Sequence, residues 1–347
     1  MEVVVRIEGR AGRITLNRPA ALNALTHGMS LTIERALDDW RDDPAVAVVV
    51  IDAAGEKAFC AGGDVATLYR QITTGDAAGA QRFWSDEYRM NAKLAAYPKP
   101  VVTLMQGFVM GGGVGVGCHA SHRVVGASSR VAMPECGIGL IPDVGGTWLL
   151  AHAPGQTGRY LGLTGARMGP GDAIFAGFAD TCIPEAEWPA LIGVLASTGD
   201  AGALRDSARP PPAAPLADRQ GWIDRFFGSE TVPAIMSLLA SDGSDEANAA
   251  LAAMRAASPL SLSATLEAVR RARTMSLREA LAQEYRFTWR APEHSDFAEG
   301  IRALIVDKDR MPRWRHPAPE MVREDETSAM LAPLGAAELN FGEETNS

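Results

Sequence analysis

The chain has 347 residues, 47% of them hydrophobic and 22% charged, a globular composition with length for one extended α/β domain or two domains. A net charge of −9 with no basic block argues against a nucleic-acid partner, and no apolar run reaches the roughly 18 residues of a membrane-spanning helix. Cys60, Cys118, Cys136 and Cys182 show no C-x-x-C spacing. A zinc knuckle or disulfide scaffold is therefore not expected, and reduced thiols fit a reducing compartment. With no signal or transit pattern at the start, cytoplasmic residence is the expectation.

Residues 3–7 and 13–16 read as short strands around a turn at 9–12. Pro19 and Asn23 mark a loop. Thr26 is positioned to cap a helix carrying Met29, Ile33, Leu37 and Trp40 at helical spacing. Residues 46–51 form a continuous apolar run, the pattern of a strand buried on both faces. Residues 55–64 read as a loop, followed by a polar helical stretch. Residues 101–104 repeat the buried-strand pattern, and 123–125 and 130–132 are further short strands. This alternation predicts an α/β core. Near residue 180 the composition shifts. Residues 185–257 are Ala-rich and helical in pattern, with an exposed connector at 209–215. The helical pattern resumes at Ser258. Phe297, Ile301, Leu304 and Ile305 predict one apolar helix face, ended by Pro312. The last 25 or so residues read as a loosely held tail.

Three motifs can carry chemistry. Phe59-Cys-Ala-Gly-Gly-Asp64 is a sharp turn after a buried strand, where a free N–H is able to donate to a developing oxyanion. A plain tight loop is the bland reading. Met110-Gly-Gly-Gly-Val-Gly-Val-Gly117 suits a helix N-terminus packed close to a ligand. Close helix–strand packing and a relaxed dinucleotide fingerprint over Gly115, Gly117 and Ala120 are its rivals. The fingerprint lacks the acidic residue about 20 positions on that it needs at a strand end. Met133-Pro-Glu135 through Pro142-Asp143-Val-Gly-Gly146 holds two carboxylates on stiff, apolar-flanked turns. That suits a nucleophile or general base with a raised pKa. Asp143 as a simple helix cap is the alternative. Together the three motifs are the parts of acyl chemistry on a polarised carbonyl.

The ordered set resembles the crotonase (enoyl-CoA hydratase/isomerase) superfamily and, within it, the 3-hydroxyisobutyryl-CoA hydrolases. The resemblance runs from Ile14-Thr-Leu-Asn-Arg-Pro and Leu22-Asn-Ala-Leu-Thr26 through the three motifs. It continues through Ser258-Pro, Glu284-Tyr-Arg286 and the stretch from Asp296 to Trp314. It implies a ββα spiral core over 1–184, a helical insertion or extension over 185–257, a helical region over 258–325 completing the acyl-CoA site, and a tail from 326. It implies that the Gly63 and Gly112 amides hold a thioester oxyanion. Glu135 then attacks the carbonyl or activates water, Asp143 assists, and Glu87 contacts the substrate hydroxyl. Arg18, Ala61 and Asp64 are the implied CoA contacts, although an Arg without a ligand is the commoner case for Arg18. Hydratases carry a further glutamate at the position of Gly115, so hydration is discounted. The expected activity is hydrolysis of a short hydroxyacyl-CoA, with 3-hydroxyisobutyryl-CoA first. An enoyl-CoA hydratase or isomerase and a non-catalytic acyl-CoA-binding protein are the alternatives. No cofactor or metal is expected, since CoA is part of the substrate. Trimers are common in the superfamily, so a homo-oligomer is one expectation.

Overall fold

The computed structural model describes residues 1–342. Nine strands form two sheets. Six belong to the larger sheet: β1 (Val3–Glu8), β2 (Ala11–Leu16), β3 (Val48–Ala53), β5 (Val101–Met105), β7 (His122–Val125) and β9 (Thr181–Cys182), in the order β1-β2-β3-β5-β7-β9. β4 (Ala58–Cys60), β6 (Phe108–Met110) and β8 (Arg130–Ala132) make the smaller sheet, in that order. Only β1 and β2 pair antiparallel, with Val3 opposite Leu16, and every other named pairing is parallel. Along the chain, each strand of the larger sheet from β3 to β7 is followed by one of the smaller sheet. Helices then lead back to the larger sheet. That is the expected ββα spiral, and the fold class is α/β.

The apolar runs become central strands because both faces are covered. Along β3, Val49 and Ile51 enter the main core while Val48 and Val50 face a second one. Trp188, Leu191 and Leu195 of the helix Trp188–Thr198 seal that second core, so part of the 185–257 segment is the outer layer of the sheet. Phe226, Phe227, Ile235 and Leu239, from the same segment, lie in the main core.

Helix α1 (His27–Arg41) is capped by Thr26, whose hydroxyl accepts from the Met29 N–H at 3.2 Å, and it buries Met29, Ile33, Leu37 and Trp40 as expected. Two further helices, α2 (Val65–Thr73) and α3 (Ala77–Ala95), precede β5. Then come α4 (Gly112–Gly117), directly after β6, and α5 (Gly146–His152).

Three sequence expectations are corrected. The 55–64 loop contains β4, a strand too short to show periodicity. The helix from Phe297 passes into a π turn at Arg302–Val306 and ends there, before Pro312. Phe297 and Ile301 are buried but Leu304 and Ile305 are not, so the apolar stripe does not all face the core. The tail is docked through 342: Glu324–Met330 is helical, Leu331 and Leu339 are buried, and Glu338 pairs with Arg286 at 2.7 Å. Its last five residues, 343–347, lie outside the described ones.

Candidate active site

The three motifs follow the three parallel strands of the smaller sheet. Ala61-Gly-Gly leaves β4, Gly111-Gly leaves β6, and Met133-Pro-Glu135 leaves β8. Because β4, β6 and β8 are neighbours, their carboxyl ends bring segments far apart in sequence to one place, the usual ligand position in parallel sheets. α3 crosses this end and contributes Glu87. The loop before α5 contributes Asp143. These residues line a cavity of about 180 Å³ that includes Ala61, Gly63, Gly112, Glu87, Glu135 and Asp143. Trp84, Leu140 and Phe297 supply apolar wall, and Leu304 and Ile305 of the π turn complete it.

The glycines hold these groups close. Gly111 has φ 47° and ψ −119°, a conformation readily open to glycine alone. A Cβ there would come within 2.8 Å of Glu135 Oε1. A Cβ on Gly112 would lie 2.8 Å from Glu87 Oε1 and 3.2 Å from the Gly63 nitrogen. The space left by the missing side chain is thus bordered by a carboxyl group and an amide. Neither the Gly63 nor the Gly112 N–H has a backbone partner among the described residues. The arrangement leaves two amides without backbone partners in a cavity lined by buried acids.

The acids are buried and short of partners. Glu87 Oε1 and Glu135 Oε2 accept no hydrogen bond among the described residues. Burial pushes both carboxyls well above the ordinary range, and the charge of Asp143 adds to it. Burial raises Asp143 only to about 6, because the Tyr88 hydroxyl donates to its Oδ2 at 2.6 Å and favours the anion.

Asp143 does not cap α5, whose N-cap is Gly145. Its turn is held from behind. Val144 adopts φ 55°, which costs a β-branched residue of order 1–3 kcal/mol. The His119 Nε2 lies 2.7 Å from the Val144 carbonyl, which makes that nitrogen the N–H donor. Burial keeps His119 neutral, lowering its pKa to about 4. Glu284 accepts from the Gly145 N–H at 2.7 Å, the Thr147 N–H at 2.9 Å and the Thr147 hydroxyl. Burial still pushes Glu284 up to about 8.

A Cβ on Gly115 would sit 2.7 Å from Asn91 Nδ2 and 2.8 Å from Val144 Cβ. There is no room for even the first atom of a second glutamate. The CoA contacts expected from sequence divide. Ala61 lines the cavity. Asp64 caps α2 through the Thr67 N–H at 3.3 Å. Arg18 pairs with Glu2 at 3.0 Å and Asp64 at 3.2 Å, and donates to the Ala24 carbonyl. Sequence reasoning misses Tyr88, His119 and Asn91, and assigns Glu284 no role. Tyr88 and Asn91 had a weak signal, one and four positions beyond Glu87 on a helix. His119 had none.

A ββα spiral whose smaller sheet ends at a cavity lined by Gly63, Gly112 and three buried carboxyls is the architecture of the crotonase fold. The enoyl-CoA hydratase/isomerase family profile matches residues 11–331, and the chain belongs to that family. A 3-hydroxyisobutyryl-CoA hydrolase, mitochondrial, from Xenopus tropicalis is 38% identical over 98% of this chain and 91% of its own length. The Homo sapiens protein of the same name is 36% identical, over 98% and 91%. Among solved structures, an enoyl-CoA hydratase from Rhodobacter sphaeroides 2.4.1 is 56% identical with a TM-score of 0.92, covering 98% of this chain and 100% of its own. A carnitinyl-CoA dehydratase from Mycobacterium thermoresistibile is 44% identical with a TM-score of 0.94, covering 99% of each.

Proposed function

We propose that the protein hydrolyses a short 3-hydroxyacyl-CoA thioester, 3-hydroxyisobutyryl-CoA first among them. The carrying observation is the pairing of Glu135 with Asp143 in a cavity where Gly115 leaves no room for another acid. The curated relatives' names support the same reaction. The names of the two solved structures favour hydration or dehydration instead. That chemistry needs a second proton-transfer group, and Asn91 and Val144 fill its place.

In this reading the thioester carbonyl lies between the Gly63 and Gly112 amides, each worth about 2.7–4 kcal/mol of barrier. Glu87, buried and unpartnered, meets the substrate hydroxyl. Glu135 and Asp143 line the same cavity and the charge of Asp143 raises Glu135, so the two titrate as a coupled pair. The Tyr88 bond favours the charged form of Asp143 against the effect of burial. Turnover needs a Glu135 carboxylate and a proton on Asp143. Glu135 then takes a proton from the water that attacks the carbonyl carbon, or attacks that carbon itself to form an anhydride, which water cleaves after CoA has left, with Asp143 taking the water proton. The C–S bond breaks, and Asp143 protonates the leaving sulfur. CoA enters as substrate, and no resident cofactor has a part. Cytoplasmic residence belongs to the same proposal. The four free cysteines fit any reducing compartment, and the mitochondrial location in the vertebrate names is said of those proteins.

The test is a free-thiol assay with (S)-3-hydroxyisobutyryl-CoA, run beside crotonyl-CoA followed by its enoyl absorbance. CoA release from the hydroxy ester with crotonyl-CoA unchanged supports the hydrolase. Consumption of crotonyl-CoA without thiol release overturns it in favour of a hydratase.

A further inference from the structure

We infer that His119 is a positioning residue: its ring N–H, by holding the Val144 carbonyl, fixes the turn that aims Asp143 into the cavity. The inference deepens the hydrolase reading and rests on it. Val144 is buried, β-branched and left-handed at φ 55°, a conformation such a residue leaves unless its surroundings hold it. Two groups do so from opposite sides of the peptide. His119, buried just past the end of α4, bonds the Val144 carbonyl at 2.7 Å. Glu284, in the helix Leu277–His294, bonds the next amide, Gly145, at 2.7 Å. Neither His119 nor Glu284 lines the cavity, whereas Asp143 and Val144 both do. His119 therefore acts through the backbone and has no contact with substrate.

The same held turn has a second effect. It places the Val144 side chain where a Cβ on Gly115 would come within 2.8 Å of it. Releasing Val144 therefore both lets Asp143 drift and loosens the packing that closes the site to another acid. Since misplacing a reacting group by about 1 Å can cost about 10²-fold in rate, a single lost hydrogen bond here is visible in kcat.

The experiment compares His119→Phe and His119→Gln in the wild-type and Val144→Gly backgrounds, by CoA release and by urea denaturation. Expected for His119→Phe is a kcat loss of about 10²-fold with KM changed only a few-fold. The glutamine amide is able to donate to the same carbonyl, so His119→Gln recovers most of that loss. Glycine adopts φ near 55° without strain, so in the Val144→Gly background His119→Phe costs much less, in kcat and in denaturation midpoint alike. A kcat for His119→Phe near wild type overturns the inference. So does a glutamine variant as slow as the phenylalanine one, or losses that simply multiply in the double variant. If wild type releases no CoA, the hydrolase reading falls. The denaturation cycle then decides the coupling of His119 to Val144, and equal midpoint shifts in the two backgrounds overturn it.

Discussion

Tyr88→Phe removes the hydroxyl that bonds Asp143 and leaves the ring packing intact. The hydroxyl donates to Asp143 Oδ2 at 2.6 Å, and its other partner, Thr288 Oγ1, is distant at 3.4 Å. A buried hydrogen bond to a charged group contributes about 1.5–3 kcal/mol. At about 1.4 kcal/mol per pKa unit, its loss raises the Asp143 pKa by about 1–2 units. The sign follows from the geometry: the bond stabilises the anion, so without it Asp143 holds its proton to higher pH than the present value of about 6. If the active enzyme carries one proton on the Glu135–Asp143 pair, kcat/KM for CoA release is bell-shaped in pH. The acid limb then moves from near 6 to about 7–8 in Tyr88→Phe. An acid limb that stays in place, in a variant folded as judged by near-UV circular dichroism, would falsify the claim that Tyr88 sets the ionisation of Asp143.

Glu135→Gln should lower kcat by about 10²–10⁴-fold while calorimetric affinity for the hydroxyacyl-CoA changes little. A variant keeping most of its kcat would remove Glu135 from the mechanism. Gly115→Ala forces a Cβ against Asn91 and Val144, so it should cost about 1–3 kcal/mol in denaturation, slow CoA release, and confer no hydration of crotonyl-CoA. Glu284 holds its proton up to about 8 in the fold, while an unfolded Glu loses it near 4.3. The folded state thus binds the proton more tightly, and this contribution is complete below about pH 4 and lost as pH rises through 8. The melting temperature should fall between pH 6 and 8.5, and Glu284→Gln should flatten that fall while lowering stability at pH 6. A melting temperature rising over this range contradicts the assignment.

The parts written in local sequence were read correctly. The apolar run at 46–51, the Thr26 cap and the ordered Gly-rich turns carry their own periodicity or spacing, and each is found, the strand two residues further on at Val48–Ala53. What escaped depends on neighbours remote in sequence. β4 is three residues long, and its partner β6 begins about fifty positions later. Leu304 and Ile305 share the helical spacing of Phe297 and Ile301, but the π turn brings them to the cavity wall. Acidic, small-residue composition made the last segment look loose, yet Leu331 and Leu339 find core contacts that composition does not reveal. Among the site residues, those in motifs were legible. His119 was not, because a lone histidine after a glycine helix says nothing about a carbonyl 25 residues on.

The closed space beside Gly115 also bears on how this enzyme is able to change. Placing an acid there requires residues 91, 115 and 144 to alter together, because each occupies volume the others need. A Gly115→Glu replacement alone presses the new side chain against Asn91 and Val144. Hydrolysis and hydration within this fold are therefore separated by an epistatic barrier. A laboratory selection for hydratase activity starting from this chain should stall unless the three positions are varied in one library.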